Sequence, residues 1–185
     1  LFLDDYEEDS IVLHKWFSFH KILVKIKKMK FAFTEGILYC RKGDFPELYY
    51  LNPFLIYMAS QHNSWKDDNL FFKFDFEAYF SRYRIYSEIL IDDFQLEPDP
   101  RGEPHQIGFL AGVMRYFTNR FLSYFWLEYR AITAWVYNNK HPYNRFVFHD
   151  ECLGNEFGPD GDKLMIKIGK LKRKKLIELE FYFKR

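Results

Sequence analysis

Cysteine, proline and glycine are scarce in this chain, at 2, 7 and 9 of 185 residues. The two cysteines, Cys40 and Cys152, are far apart and in no CxxC arrangement, so they give no disulfide framework and fit buried free thiols in a reducing compartment. Net charge is also nearly absent: 27 Lys and Arg against 26 Asp and Glu leave +1. No global field draws the chain to nucleic acid or an anionic membrane, and only a local patch can do so. Long hydrophobic runs are missing. The most apolar stretches, 51–58 and 121–135, are interrupted by Asn52, Pro53, Glu128 and Arg130 and fall short of the roughly 18 residues of a helical span. The sequence therefore reads as that of a protein not integral to a membrane. Its start, LFLDDYEEDS, is acidic where a targeting segment is basic, so no cleavable address is expected. Walker, GxGxxG, HExxH and GxSxG patterns are absent as well, which removes the local signatures of phosphate cradling, dinucleotide binding, zinc proteolysis and hydrolase elbows.

What the chain has in excess is aromatic rings, with 22 Phe, 14 Tyr and 4 Trp. At about 150–250 Å² each they represent more apolar area than the core of one domain consumes. Some of that surface is expected to meet another chain. Such use of Phe and Tyr also suits an AT-rich, organelle-type coding sequence.

Alternation of apolar and polar residues predicts strands. Residues 21–40 suggest a hairpin, 29–33 with 37–41, turning at Thr34, Glu35 and Gly36. Phe72, Phe74 and Phe76, then Ile85, Ile89 and Ile91, mark two more strands, and Leu164 to Ile168 with Ile177 to Phe183 mark a final pair. Helical spacing predicts a helix over 45–61, with Asp44 as N-cap and a kink at Asn52-Pro53. A second helix is predicted over 107–137, ended by Asn138 to Pro142. Between them, the Pro-rich 96–104 is a connection. The order implies an α+β fold, a mainly antiparallel sheet with helices on one side, plus an extended C-terminal tail holding two short strands. The expected divisions are an N-terminal extension over 1–20, a core domain over 21–150 and the tail over 151–185.

Chemistry-bearing clusters are few. His141, His149, Asp150, Glu151 and Cys152 include metal-favoured side chains but match neither finger nor ribbon spacing. The acid pairs Asp67/Asp68 and Asp92/Asp93 read as solvated surface. Lys170 to Lys175 places five cations in six residues, suited to phosphates or, as a hairpin tip, to an acidic partner.

The segment 125–150, FWLEYRAITAWVYNNKHPYNRFVFHD, resembles a signature of the peripheral-arm thirty-kilodalton subunit of respiratory complex I, NADH:ubiquinone oxidoreductase. Trp126 and Glu128 match W-x-E, with Arg130 one place late for the arginine. His141 and Pro142 match H-P, Arg145 matches the first arginine after it, and Asp150 fits the following aspartate. The second acid of E-R-E, the D-x-F-G step and the second arginine are missing.

That resemblance implies a non-catalytic structural subunit without cofactor or metal, on the matrix side of the mitochondrial inner membrane or the equivalent bacterial face. Its implied partners are other peripheral-arm subunits, chiefly the quinone-site subunit. Trp126, Glu128, Arg130, His141, Pro142, Arg145 and Asp150 would be the partner-binding residues, Arg130 and Arg145 bridging carboxylates. Two alternatives stay open: a mitochondrial ribosomal or other RNA-contacting protein using the 170–175 block, which the near-zero net charge disfavours, and a metal-dependent enzyme built on His141 and His149.

Overall fold

Period-two alternation governs far more of the chain than the helical pattern does. The computed structural model describes residues 1–8, 11–43, 45–64, 66, 68–93, 105–118, 121–149, 151–156, 158–172 and 175–185. Its strands are β1 (Phe2–Glu8), β2 (Ile11–Ile26), β3 (Met29–Arg41), β4 (Asn69–Phe80), β5 (Tyr83–Asp93), β6 (Gln106–Tyr116), β7 (Tyr124–Ile132), β8 (Val147–Phe148), β9 (Glu151–Cys152), β10 (Gly161–Lys172) and β11 (Lys175–Lys184). Nine of them form one antiparallel sheet in the order β1-β2-β3-β4-β5-β6-β7-β10-β11, while β8 and β9 make a separate two-residue pair. Among the described residues the only α-helix is α1 (Tyr57–Ser64), with 3-10 turns at Leu48–Leu51 and Pro142–Asn144.

This overturns the α+β expectation: the fold is nearly all-β. The helix expected over 107–137 is instead β6 and β7. Both faces of β6 carry apolar or small residues, so Phe109, Val113 and Phe117 fall at helical spacing by accident. Gly108 and Gly112 oppose a helix, and each strand gains a full ladder from its neighbours. The helix expected over 45–61 shrinks to the 3-10 turn and α1, separated at Asn52-Pro53, where proline cannot donate a helical hydrogen bond. Its expected cap, Asp44, lies outside the described residues, as does the connection 96–104.

The expected turn at Thr34 to Gly36 is also a correction. β3 runs through it unbroken, and the hairpin turn falls earlier, at Lys27-Lys28. Gly36 is there for space: a Cβ on it would lie 2.6 Å from the Phe71 ring on β4. The tail does not extend away. β10 pairs with β7 from Gly161↔Ile132 to Gly169↔Tyr124, and β11 pairs with β10 over their length. The alternations expected for β4, β5, β10 and β11 are present as strands.

Connections alternate in length. β2–β3, β4–β5, β6–β7 and β10–β11 join through short turns at one end of the sheet. Residues 42–68, 94–105 and 133–160 all leave from the other end, where β1–β2 is the one short link. The buried cluster sits at that loop end, with Ile37, Tyr39, Tyr50 and Tyr57 at its centre and Trp16, Leu55 and Leu70 packed around them.

Gly36→Ala is expected to overpack the β3–β4 face and cost about 1–3 kcal/mol in urea unfolding. Phe71→Ala added to it is expected to restore part of that loss, a coupling read from the double-mutant cycle.

Candidate functional site

The pairing register assigns every strand residue to one of two faces. On the first face lie Ile22, Val24 and Ile26 of β2, Phe31 and Phe33 of β3, and Phe72, Phe74, Phe76 and Phe80 of β4. It continues through Ile85, Ile89 and Ile91 of β5, Phe109 and Val113 of β6, and Phe125, Leu127 and Tyr129 of β7. Leu164, Ile166 and Ile168 of β10 and Ile177, Leu179, Phe181 and Phe183 of β11 complete it. From β4 to β11 only Ala78 on this face is buried. Ile22 is 63% exposed, Phe80 51% and Phe183 61%. Scattered apolar residues on a surface are ordinary, but a contiguous apolar sheet face marks a contact with another protein or with lipid. The protein exposes 12807 Å² in all, where a compact monomer of its 22.7 kDa exposes about 9,500 Å². Among the described residues, no second layer covers the sheet away from its loop end.

The second face is polar and ion-paired. Lys21, Lys73, Asp75 and Glu88 interlock across β2, β4 and β5, and Glu77 accepts from Lys30 at 2.7 Å and Arg84 at 2.5 Å. Farther along, Tyr86 donates to Glu128, Trp126 Nε1 donates to Tyr86 Oη at 2.5 Å, and Arg130 Nε donates to Glu128 Oε1 at 2.6 Å. Lys167 pairs with Glu180 and lies over the Trp126 ring, while Lys163 lies over Tyr182. Trp126, Glu128, Arg130, Lys163, Lys167 and Tyr182 line a cavity of about 170 Å³. Gly112 lets the Tyr86 ring lie flat on β6, since a Cβ there would come within 2.3 Å of it. Glu128 and Met165 are buried on this face, whereas the apolar face opposite them stays open. Side chains that crowd one another on one side and splay on the other belong to a sheet curved toward the crowded side. That crowding implies a sheet curved with its polar face inward.

Two segments cap the loop end from opposite sides. Residues 45–66 cover the apolar face there. Glu35, 1% exposed, accepts the backbone N–H groups of Tyr57 and Met58 at 3.0 and 2.9 Å and so caps α1. His20 Nε2 lies 3.0 Å from the same carboxylate. Asp68 accepts both Arg41 guanidinium nitrogens, at 2.9 and 2.7 Å, and the Tyr50 hydroxyl at 2.8 Å. Burial pushes the Glu47 carboxyl up, but hydrogen bonds from Lys66 and Arg41 outweigh it and hold Glu47 below the usual carboxylate range. Residues 133–147 cross the polar face: Tyr137 N–H donates to Asp92, Asn69 donates to the carbonyls of Asn138 and Asn144, and Phe146 packs on Phe17 and Phe71.

The candidate residues divide into two groups. Trp126, Glu128 and Arg130 do come together, as alternate residues of β7 on the concave face. His141, Pro142 and Arg145 sit on the crossing segment, His141 stacked on Tyr143 and Arg145 on the carbonyl of Asn139. Asp150 lies outside the described residues. Cys40 is buried, its Sγ donating to the Tyr143 carbonyl, and Cys152 is half-buried and free. Asp68, read from sequence as solvated, is instead a buried acceptor; Asp67 lies outside the described residues. Among the described residues no three His, Cys, Asp or Glu side chains gather as metal ligands. The bare apolar face was signalled in the sequence by the aromatic excess, but its location was not.

Comparison with known proteins finds no match to any family model, curated protein or solved structure.

Asp68→Ala, which strands Arg41 and Tyr50, is expected to cost about 3 kcal/mol in chemical denaturation. Glu47 has a folded pKa below its unfolded one, so its contribution is complete above the unfolded value and fades as pH falls through the folded value. Hydrogen-exchange protection over residues 48–58, corrected for intrinsic rates, is expected to drop below about pH 4. Glu47→Gln is expected to weaken that protection at neutral pH and abolish the acid step.

Proposed function

We propose that this chain forms part of the wall of a membrane-embedded β-barrel, with the apolar convex face against lipid and the charged concave face lining the interior. The observation that carries the reading is the apolar face itself, continuous from β2 to β11, its residues exposed or half-buried but, from β4 on, fully buried only at Ala78. Its dimensions agree. β4 to β7 are 12, 11, 11 and 9 residues long, and a membrane-crossing strand needs about 9–11. Short turns at one end, longer connections at the other and apolar-out, polar-in alternation are the features such walls combine. Among the described residues no helix is long and apolar enough to cross a membrane, which leaves strands as the crossing element. The sequence reading against a membrane protein weighed helical spans alone.

Hydrocarbon tolerates no unpaired strand edge, so β1 and β11 pair with strands additional to these nine in the finished wall. In this role the chain carries no reaction of its own. The scaffold role implied by the complex I resemblance is the rival: there a protein neighbour, not lipid, covers the same face. The element order that the resemblance drew on includes a helix over 107–137 where β6 and β7 stand.

The test is a series of single-cysteine variants of the full chain, with Cys40 and Cys152 replaced, at Ile89, Phe109 and Phe181 on one face and Glu88, Leu110 and Glu180 on the other. Labelled with a fluorophore and reconstituted into vesicles with brominated acyl chains, the first three are expected to be quenched and the second three spared. Equal quenching of both sets, or a protein that remains monodisperse in buffer and ignores vesicles, would reject the lipid assignment.

A further inference from the structure

The near-zero net charge conceals a cationic border at one end of the strands. At the turn end lie Lys25, Lys27 and Lys28 at the β2–β3 turn, Arg82 at the β4–β5 turn, Arg115 near the end of β6, and Lys172 at the end of β10. The acids at this end, Glu77 and Glu178, are both engaged: Glu77 by Lys30 and Arg84, Glu178 with Lys167 3.9 Å away. Lys25, Lys27, Lys28, Arg82 and Lys172 have no acidic partner among the described residues. The loop end carries both signs, with Asp68, Glu47 and Glu156 paired there to Arg41, Lys66 and Lys163.

We infer that the turn end is a binding rim for anionic lipid headgroups, the phosphates of one leaflet seated against these cations. The inference rests on the membrane reading above and adds the lipid class and the orientation. Two observations carry it. The cations stand at the same strand ends where the bare apolar face stops, at Ile26, Phe80 and Tyr83, so hydrocarbon and phosphate would be met in the order a leaflet presents them. Tyr83, on the apolar face at this level, is exposed, and amphipathic rings favour the headgroup layer. A protein neighbour would have to match the same sequence of an apolar field ending in a cationic border. An anionic leaflet does so by its own construction, and each unpaired lysine near it strengthens binding by about fivefold.

The test uses the full chain refolded beside vesicles of phosphatidylcholine alone or mixed with phosphatidylglycerol, with capture read by flotation. Capture is expected to be stronger on the anionic vesicles and to fall as salt rises. The triple variant K27Q/K28Q/R82Q is expected to lose about 100-fold in partition to anionic vesicles while keeping that to phosphatidylcholine. Lys42→Gln, at the loop end, is expected to change neither. Equal capture on both lipids by the wild type, or an unchanged triple variant, overturns the rim while leaving the membrane reading standing. Failure of capture on either vesicle overturns both. A single-stranded RNA bound through the same cations, with no preference between vesicles, overturns the rim in favour of a nucleic-acid contact.

Discussion

Every backbone group in a sheet needs a neighbour, and in this molecule one ladder after another supplies it. The rest of the structure depends on that continuity across nine strands. Once the ladders are formed, side-chain direction follows from parity of position, and the sequence has placed most, though not all, of its large apolar strand residues on one parity. Among the described residues the usual response, a second layer over the apolar side, is missing over most of the sheet. Burial that would drive folding in water is left incomplete, and the environment has to supply what the chain does not.

The two faces differ in kind because their packing does. On the concave side, long charged and aromatic side chains lean over small residues and satisfy one another, as Tyr86, Trp126, Glu128 and Arg130 do above Gly112. An interior of this sort is held by geometry rather than by exclusion of water. On the convex side Phe31 packs on Phe76, and Phe33 on Phe72 and Phe74, while Phe109 and Phe181 stay exposed. The loop end is the exception on both sides. There Glu35 and Asp68 gather donors from separate segments and bind 45–66 to the sheet, while Phe146 and Asn144 bring the later segment back across β2 to β4. Folding at this end has a water-excluding core of its own.

Much of this was legible where a strand had one apolar and one polar side. β4, β5, β10 and β11 announce themselves by alternation, and Trp126, Glu128 and Arg130, two residues apart, were already among the seven candidate residues. That spacing is itself a strand signal, although the stretch read as helix. β6 hid because Leu110 and Met114 sit opposite Ile107, Phe109 and Val113, so both faces looked apolar and the period was lost. β3 hid for another reason: Thr34-Glu35-Gly36 has the composition of a turn, and only the positions of Phe71 and of α1, both distant in sequence, explain why a glycine and a buried acid belong mid-strand. The rings that exceeded any core were countable at once. Which side of which layer they occupied depends on register, and register is fixed by partners far along the chain.

The odd number of strands has a consequence of its own. With antiparallel neighbours throughout, β1 and β11 point the same way, so joining them directly would create a parallel seam. A ring that stays antiparallel all round takes an odd count of further strands between the two edges. Two identical sheets joined edge to edge as antiparallel neighbours would stand head to foot, sending the long connections of one and the tight turns of the other to the same side of the bilayer. A ring with all its long connections on one side is instead completed by strands of a different sequence.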